Sequence, residues 1–234
     1  MNPRFKYRTN IPYPSMESHT ADDGKRVYYT PQGPAPSVTT ILSTLPHPGL
    51  DEWKERVGPE EAARISKEAT DIGNCMHNML EANVRDEPYI MTGLPNEDMA
   101  AQMFRVVMLF GLKDLNEVWG IEVPLHCEDM YAGRTDLVGV YARKASIIDY
   151  KSSKMMKQAS WLEDYKHQIA AYAIAHDEMF PEESIEQGVI LLGTRPNPEY
   201  RVPPKVQRVI MDRAEMYEYK MKWLDVVDAY HESH

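Results

Sequence analysis

Cysteine is almost missing from this sequence: Cys75 and Cys127 are the only two in 234 residues, far apart and without C-x-x-C spacing. That excludes a disulfide framework, a zinc ribbon and a four-thiolate iron–sulfur cluster, and it suits a reduced, intracellular protein. No run of eighteen apolar residues occurs, so no membrane-spanning helix is expected. The opening MNPRFKYRTNIPYPS lacks the apolar stretch of a secretory signal. Neither GxxxxGK[ST] nor GxGxxG is present, which removes ATP-driven unwinding and dinucleotide chemistry. The GxSxG nucleophile elbow is absent too.

Positive charge is also scarce. The net charge of −10 argues against a nucleic-acid partner until its distribution is considered. From Arg134 to His167 the chain carries seven basic and four acidic residues, a window of +3 that leaves −13 on the remainder. A locally basic strip on an acidic body still holds phosphates, especially where cations neutralise carboxylates. Hydrophobic residues make up 43% of the chain, enough for the core of one large domain.

The first 36 residues contain six prolines (3, 12, 14, 31, 34 and 36) and read as an arm laid over the surface. Within it, Asp23-Gly24 ahead of Lys-Arg-Val-Tyr-Tyr is placed to turn a short hairpin. Ser37 caps a short helix over 38–43, closed by the turn at 46–49. Helix is predicted from Asp51 to about Val84, broken at Gly58-Pro59, and again from Asn96 to about Leu115. Three strands follow over 118–127, 130–141 and 145–150, antiparallel because Glu-Asp and Arg-Lys fall at tight turns. A helix over 158–176, a buried apolar strand at 188–193, a further strand at 206–211 and a helix from Asp212 to Tyr230 complete the chain. The expectation is a single α/β domain: arm 1–36, helical region 37–115, catalytic sheet 116–211, and a C-terminal helix in 212–234.

Two acids are conspicuous by position. Asp136 lies inside the otherwise apolar Gly133-Arg-Thr-Asp-Leu-Val-Gly139, and Asp149 ends the run Ser146-Ile-Ile-Asp149 before Tyr150-Lys151. Residues 149 and 151 project to the same face of a strand, and a hairpin turned at Arg143-Lys144 brings Asp136 alongside Asp149. Two carboxylates and an ammonium then converge, a set suited to a hard cation such as Mg²⁺ and to phosphodiester hydrolysis. Lys151 would orient the attacking water and offset transition-state charge; the role of base would need its pKa lowered by the cation. The bland alternative is a pair of strand-end acids forming surface salt bridges with Arg134 and Lys151.

The combination GRTDLVG…IIDYKSS resembles the metal site of the PD-(D/E)xK nuclease superfamily, in its RecB-like branch. Gly73-Asn-Cys-Met-His77 resembles that branch's G-x-x-x-H helix motif, and Gln168-Ile-Ala-Ala-Tyr172 its Q-x-x-x-Y motif. PSVTTILS at 36–43 with Trp53-Lys54 adds a resemblance to the mitochondrial genome maintenance exonuclease family and related phage-type exonucleases. The resemblance runs from about Pro36 to Gly193. It implies a restriction-endonuclease-like αβββαβ core, with the helices of 51–115 arching over the site and the arm packed outside. It also implies Lys151, Asp136 and Asp149 as catalytic residues, with His77, Asp136, Asp149 and the Tyr150 backbone carbonyl as ligands for Mg²⁺ or Mn²⁺. Imidazole suits Mn²⁺ somewhat better.

Gln168 and Tyr172 would position the phosphate or brace the lysine; a buried amide and phenol bonded to backbone is the alternative. Ser152 and Ser153 are set for phosphate contact, Lys154 and Lys157 for gripping a threaded strand, and Glu122 for reaching the metal through water. Glu81, one turn beyond His77, is either an outer partner of the metal or a solvated acid. Tyr13, Tyr28, Tyr29, Trp53 and Trp161 are available to stack on bases. The implied activity is a metal-dependent DNA exonuclease on single-stranded or free-ended DNA, serving repair, recombination or replication. It would work in the cytoplasm, or in a host's if phage-encoded, without a nucleotide cofactor. The rivals are an endonuclease on the same core and a non-catalytic DNA-binding module.

Overall fold

The computed structural model describes residues 5–233; Pro3 of the arm and residue 234 lie outside them. A mixed six-stranded sheet forms the centre, in the order β1-β5-β6-β7-β8-β9, with helices on both faces. Its strands are β1 (Lys6–Tyr7), β5 (Leu115–Cys127), β6 (Tyr131–Tyr141), β7 (Lys144–Ser153), β8 (Gln187–Thr194) and β9 (Val206–Met211). A second, three-stranded sheet comprises β2 (Ser18–Thr20), β3 (Arg26–Thr30) and β4 (Gly33–Pro36). The helices are α1 (Val38–Leu42), α2 (Pro48–Val57), α3 (Pro59–Val84), α4 (Glu97–Val106), α5 (Glu163–Met179) and α6 (Arg213–Ser233).

β5, β6 and β7 run as an antiparallel meander, and α5 carries the chain across to β8, which pairs with β7 in parallel. The β6–β7 turn places Ala142 (φ 47°) and Arg143 (φ 68°) in the left-handed region that a two-residue hairpin demands. Asn116 Oδ1 accepts the Arg143 N–H at 2.7 Å and helps hold this turn of non-glycine residues. Every residue of β8 is buried because the sheet is covered twice. Ile190, Val138 and Ile147 pack with Ile169 of α5 and Trp223 of α6 on one face. Leu191, Leu137 and Ile148 pack with Met76 and Leu80 of α3 and Met103 of α4 on the other. Among the described residues no helix is long and apolar enough to cross a membrane.

Most predicted elements stand. Ser37 accepts the Thr40 N–H at 2.9 Å and starts α1, and Gly58 (φ 84°) with Pro59 separates α2 from α3. Asp23-Gly24 does turn the β2–β3 hairpin. The arm differs from its expectation as a surface appendage. β1 joins the main sheet beside β5, and Met16, Tyr28 and Ala35 bury themselves against Ala132 at the start of β6. Proline blocks ladder donation at single positions, so short strands between prolines still pair.

The helical region also divides in two. α2 buries no residue, and α3 is buried from Ile72 onward, with Ala62 the exception before it. Segment 48–67 is mostly exposed apart from Ala62, and two tethers flank it: His47 Nδ1 lies 3.6 Å from Asp164, and Glu68 pairs with Arg195 at 3.2 Å. From Ile72 onward α3 packs with α4 on the sheet.

Candidate active site

The site begins where β6 and β7 separate. Their pairing ends at Leu137 opposite Ile148, although β7 stays paired with β8 as far as Ser153. Past that point Asp136 supplies with its side chain what the ladder no longer does, and Oδ2 accepts the Tyr150 N–H at 2.6 Å. N–H and C=O of one strand residue share a side, so the Tyr150 carbonyl also faces the gap. On the other flank, Ile121 pairs with Leu137 and Val123 with Thr135, which brackets Glu122 opposite Asp136. Glu122 has φ 55°, a strained conformation for glutamate that re-aims its side chain within the strand. Glu122, Asp136 and Asp149 thus form a row of carboxylates across three neighbouring strands.

Crowding shows in their protonation. Burial and the neighbouring Asp136 charge push Asp149 up to about 6, against the pull of Lys151. Burial, Asp136 and Glu81 push Glu122 up to about 7. Burial would raise Asp136 as well, but His77, Lys151 and the Tyr150 N–H together hold it below its ordinary value. These opposite shifts in adjacent carboxylates follow from like charges sharing a dry site.

Lys151 projects from the same strand face as Asp149, with Nζ 2.5 Å from Asp149 Oδ2. It donates to Gln168 Oε1 at 2.9 Å, and Gln168 Nε2 in turn donates to the Tyr172 hydroxyl at 3.1 Å. The Tyr172 ring lies over Gly133, where a Cβ would meet Cε1 at 2.6 Å. Gln168 and Tyr172 therefore brace the lysine and do not serve the backbone. Burial tends to lower the Lys151 pKa, but Asp149 and Asp136 outweigh it and hold the group above its ordinary value. As it stands, Lys151 is an ammonium.

His77 reaches the row from α3, its Nδ1 3.3 Å from Asp136 Oδ1 and its ring edge-on to Tyr150. Burial would depress it; Asp136 prevails and raises it. Gly73, one turn earlier, lets α3 approach β7, since a Cβ there would lie 2.9 Å from Ser152 Oγ. That packing puts Ser152 against the helix. Ser153 Oγ accepts from Met155 N–H at 3.4 Å in the following loop, and Lys154 is exposed there. The cavity beside the row is lined by Glu122 and Asp136 but not by Asp149, Lys151 or either serine, whereas Glu81 does line it, with its carboxylate held by Arg85 at 2.9 Å.

The cavity is about 490 Å³ and lies between α3 and the arm. One wall carries His77, Glu81, Glu122 and Asp136; the facing wall carries Arg26, Tyr28 and Thr39, with Arg134 beside them. The arm, expected outside the site, supplies this second wall. Composition gave no hint of Arg26. Asn74 and Asn78, also lining the cavity, were legible: with His77 and Glu81 they make a polar stripe at i, i+3, i+4 and i+7 on α3. Of the aromatic candidates, Tyr13 is packed against His176 and Phe180, and Tyr28 is 3% exposed, so neither offers a free ring face. Tyr29 and Trp161 are exposed.

By donor chemistry the set suits a hard or borderline cation: carboxylates of Asp136 and Asp149, the His77 imidazole and the Tyr150 carbonyl. Among the described residues no three His, Cys, Asp or Glu side chains converge on one point as they stand. The reason is local: Asp149 is turned to Lys151, and Asp136 to His77 and Tyr150 N–H. Asp149, whose pKa is raised beside the charged Asp136, is the acid whose repulsion a cation would relieve.

No model of a known protein family matches the chain, and no curated protein is recognisably similar to it. Among solved structures, the chain is similar to a candidate exonuclease from Eubacterium rectale at 16% identity and a TM-score of 0.45, covering 69% of this chain and 68% of that one. It is also similar to the protein SSO0001 at 14% identity and a TM-score of 0.38, covering 81% and 74% respectively. Likenesses this distant do not transfer a function.

Proposed function

We propose that the chain is a divalent-metal-dependent deoxyribonuclease that hydrolyses phosphodiester bonds from free single-stranded ends. The observation that carries this reading is the row Glu122, Asp136 and Asp149 across β5, β6 and β7, with Lys151 ion-paired to the last of them. Asp136, Asp149, His77 and the Tyr150 carbonyl would hold Mg²⁺ or Mn²⁺, with Glu122 reaching it through water. When bound, the cation supplies positive charge against the phosphoryl oxygens as negative charge develops on them. Lys151, fixed by Gln168 and Tyr172, orients the attacking water and adds its own charge to the same oxygens. Its ion pair with Asp149 and its hydrogen bond to Gln168 support this electrostatic role over that of base. Arg26 from the arm and Arg134 from β6, both lining the cavity, would hold flanking phosphates. Preference for an end rests on the reading of 51–115 as an arch, beneath which a flexible strand would thread better than a stiff duplex; the tethers at His47–Asp164 and Glu68–Arg195 flank its first stretch.

The test is to incubate the protein with end-labelled single-stranded, duplex and covalently closed circular single-stranded DNA, in Mg²⁺, Mn²⁺ or chelator. Linear single strands should be reduced to short products only with metal, duplex more slowly, and circles spared. Rapid linearisation of the circle would replace the exonuclease by an endonuclease on the same core. Binding without cleavage in any metal would leave a DNA-binding module.

A further inference from the structure

The loop between β7 and α5 combines features that the site chemistry does not use. From Lys154 to Trp161 it reads Lys-Met-Met-Lys-Gln-Ala-Ser-Trp: two lysines and no acid, directly after Lys151 of β7, in a chain of net charge −10. Three large apolar side chains point to solvent there, Met155 at 58%, Met156 at 50% and Trp161 at 53% exposure. The loop is nevertheless held firmly. Lys157 N–H donates to Gln207 Oε1 at 2.8 Å, and Gln207 Nε2 donates back to the Lys157 carbonyl at 2.7 Å. Lys157 Nζ and Lys151 Nζ both stand 5.0 Å from the centre of the Tyr165 ring, which ties the loop directly to the candidate catalytic lysine. Its ends coincide with the tethers of segment 48–67. Ser153 O accepts from Arg195 N–H at 2.9 Å, Arg195 pairs with Glu68, and Asp164 faces His47.

An anchored loop that exposes two methionines and a tryptophan costs solvation unless something covers them. The uninterrupted positive charge selects the occupant: a polyanion with flat apolar faces, that is, a single strand of nucleic acid. Resting on the nuclease reading above, we propose that Trp161, with Met155 and Met156, is the platform on which unpaired bases next to the reacting phosphate stack. Lys154 and Lys157 hold the intervening phosphates. Bases of a duplex are already stacked and paired, so the platform discriminates for unpaired strands.

The experiment measures binding in chelator, where no cleavage occurs, by anisotropy of a labelled oligothymidylate and of an abasic deoxyribose-phosphate oligomer of the same length. Wild type should prefer the base-bearing strand by about tenfold, the order of one or two stacked bases. Trp161→Ala and the double variant Met155→Ser/Met156→Ser should erase most of that preference, and Trp161→Phe should restore it. Equal affinities for the two oligomers in wild type, or an unaltered preference in Trp161→Ala, would overturn the platform. So would variants that leave DNA binding intact but change the molecular mass by light scattering, since the patch would then join protein copies. Failure of the nuclease reading is recorded separately: wild type that shows the stacking preference yet never cleaves with Mg²⁺ or Mn²⁺ keeps the platform and loses the catalysis.

Discussion

Two buried clusters of titratable groups lie along one face of α5, four residues apart in succession at Gln168, Tyr172 and His176, and they behave in opposite ways. At the first, Asp136, Asp149, Lys151 and His77 keep their charges out of bulk water by pairing with one another, at the cost of raised pKa values for Asp149 and Glu122. At the second, His176 sits among Tyr13, Trp119 and Phe180, its Nε2 3.0 Å from the Tyr13 hydroxyl. Burial pushes His176 down to about 4, and the nearby Asp177 and Glu183 do not offset it. The Glu183 carboxylate accepts from both terminal guanidinium nitrogens of Arg8, which also lies over the Trp119 ring. The second cluster is a neutral plug that fixes the arm to the domain; the first is a store of electrostatic tension. Burial alone does not make a reactive site. Like charges forced to share one confined place store the tension that a candidate site needs.

The comparison breaks first at Asp149. Asp149→Asn keeps the shape but removes a charge from the row, and cleavage should fall at least a hundredfold while the folded structure survives, as circular dichroism would show. Lys151→Ala should lose turnover as severely yet still bind DNA and metal, since removing a cation relieves repulsion. Retention of more than about a tenth of the wild-type rate in Asp149→Asn would reduce the row to structural salt bridges.

The plug should answer to pH instead. Folded His176 titrates at about 4 and the unfolded chain at about 6.5, so between those values the unfolded state binds the extra proton. Its contribution is complete above pH 6.5 and is lost as pH falls towards 4. Between pH 7 and pH 4.5 wild type should lose about 2 kcal/mol more stability than His176→Phe, read from urea midpoints at the two pH values. Equal losses would mean that His176 is not held neutral, and the contrast between the two clusters would fail.

His77 sharpens the contrast, because it is a histidine that its surroundings hold up where His176 is held down. His77→Ala should weaken Mn²⁺ affinity at least tenfold, measured by calorimetric titration, and His77→Asp should recover part of it. Identical titration curves would return His77 to helix packing. The smallest effect belongs to Arg26 on the arm. Arg26→Ala should weaken single-strand binding a few-fold and make the log–log salt slope shallower by roughly 0.7, one phosphate contact. An unchanged slope would remove the arm from the substrate path.

Much of the candidate site could be read in advance because it is local. Asp149 and Lys151 share a face by strand period, Gln168 and Tyr172 by helical period, and a tight turn at Arg143 set Asp136 beside Asp149. What escaped was non-local. Nothing in the arm's proline-rich composition says that β1 pairs with β5 or that Arg26 faces Asp136 across a cavity. Ser152 looked like a phosphate contact from its place after the lysine, yet strand alternation turns it onto Gly73. Within 51–115 the apolar stripe of α3 from Ile72 onward docks on the sheet, while α2 buries no residue, a division that helical period alone does not announce.

By itself, then, the sequence determined the order of helices and strands, the hairpin register and the residues that share a face, since hydrophobic period, caps and turn chemistry act within a few residues. Only the tertiary structure decided which charges are buried together. The separation of β6 from β7, the strained Glu122 opposite Asp136 and the approach of α3 over Gly73 bring distant residues into one confined volume. Electrostatic energy there depends on distance and solvent exclusion, and neither can be read from spacing along the chain.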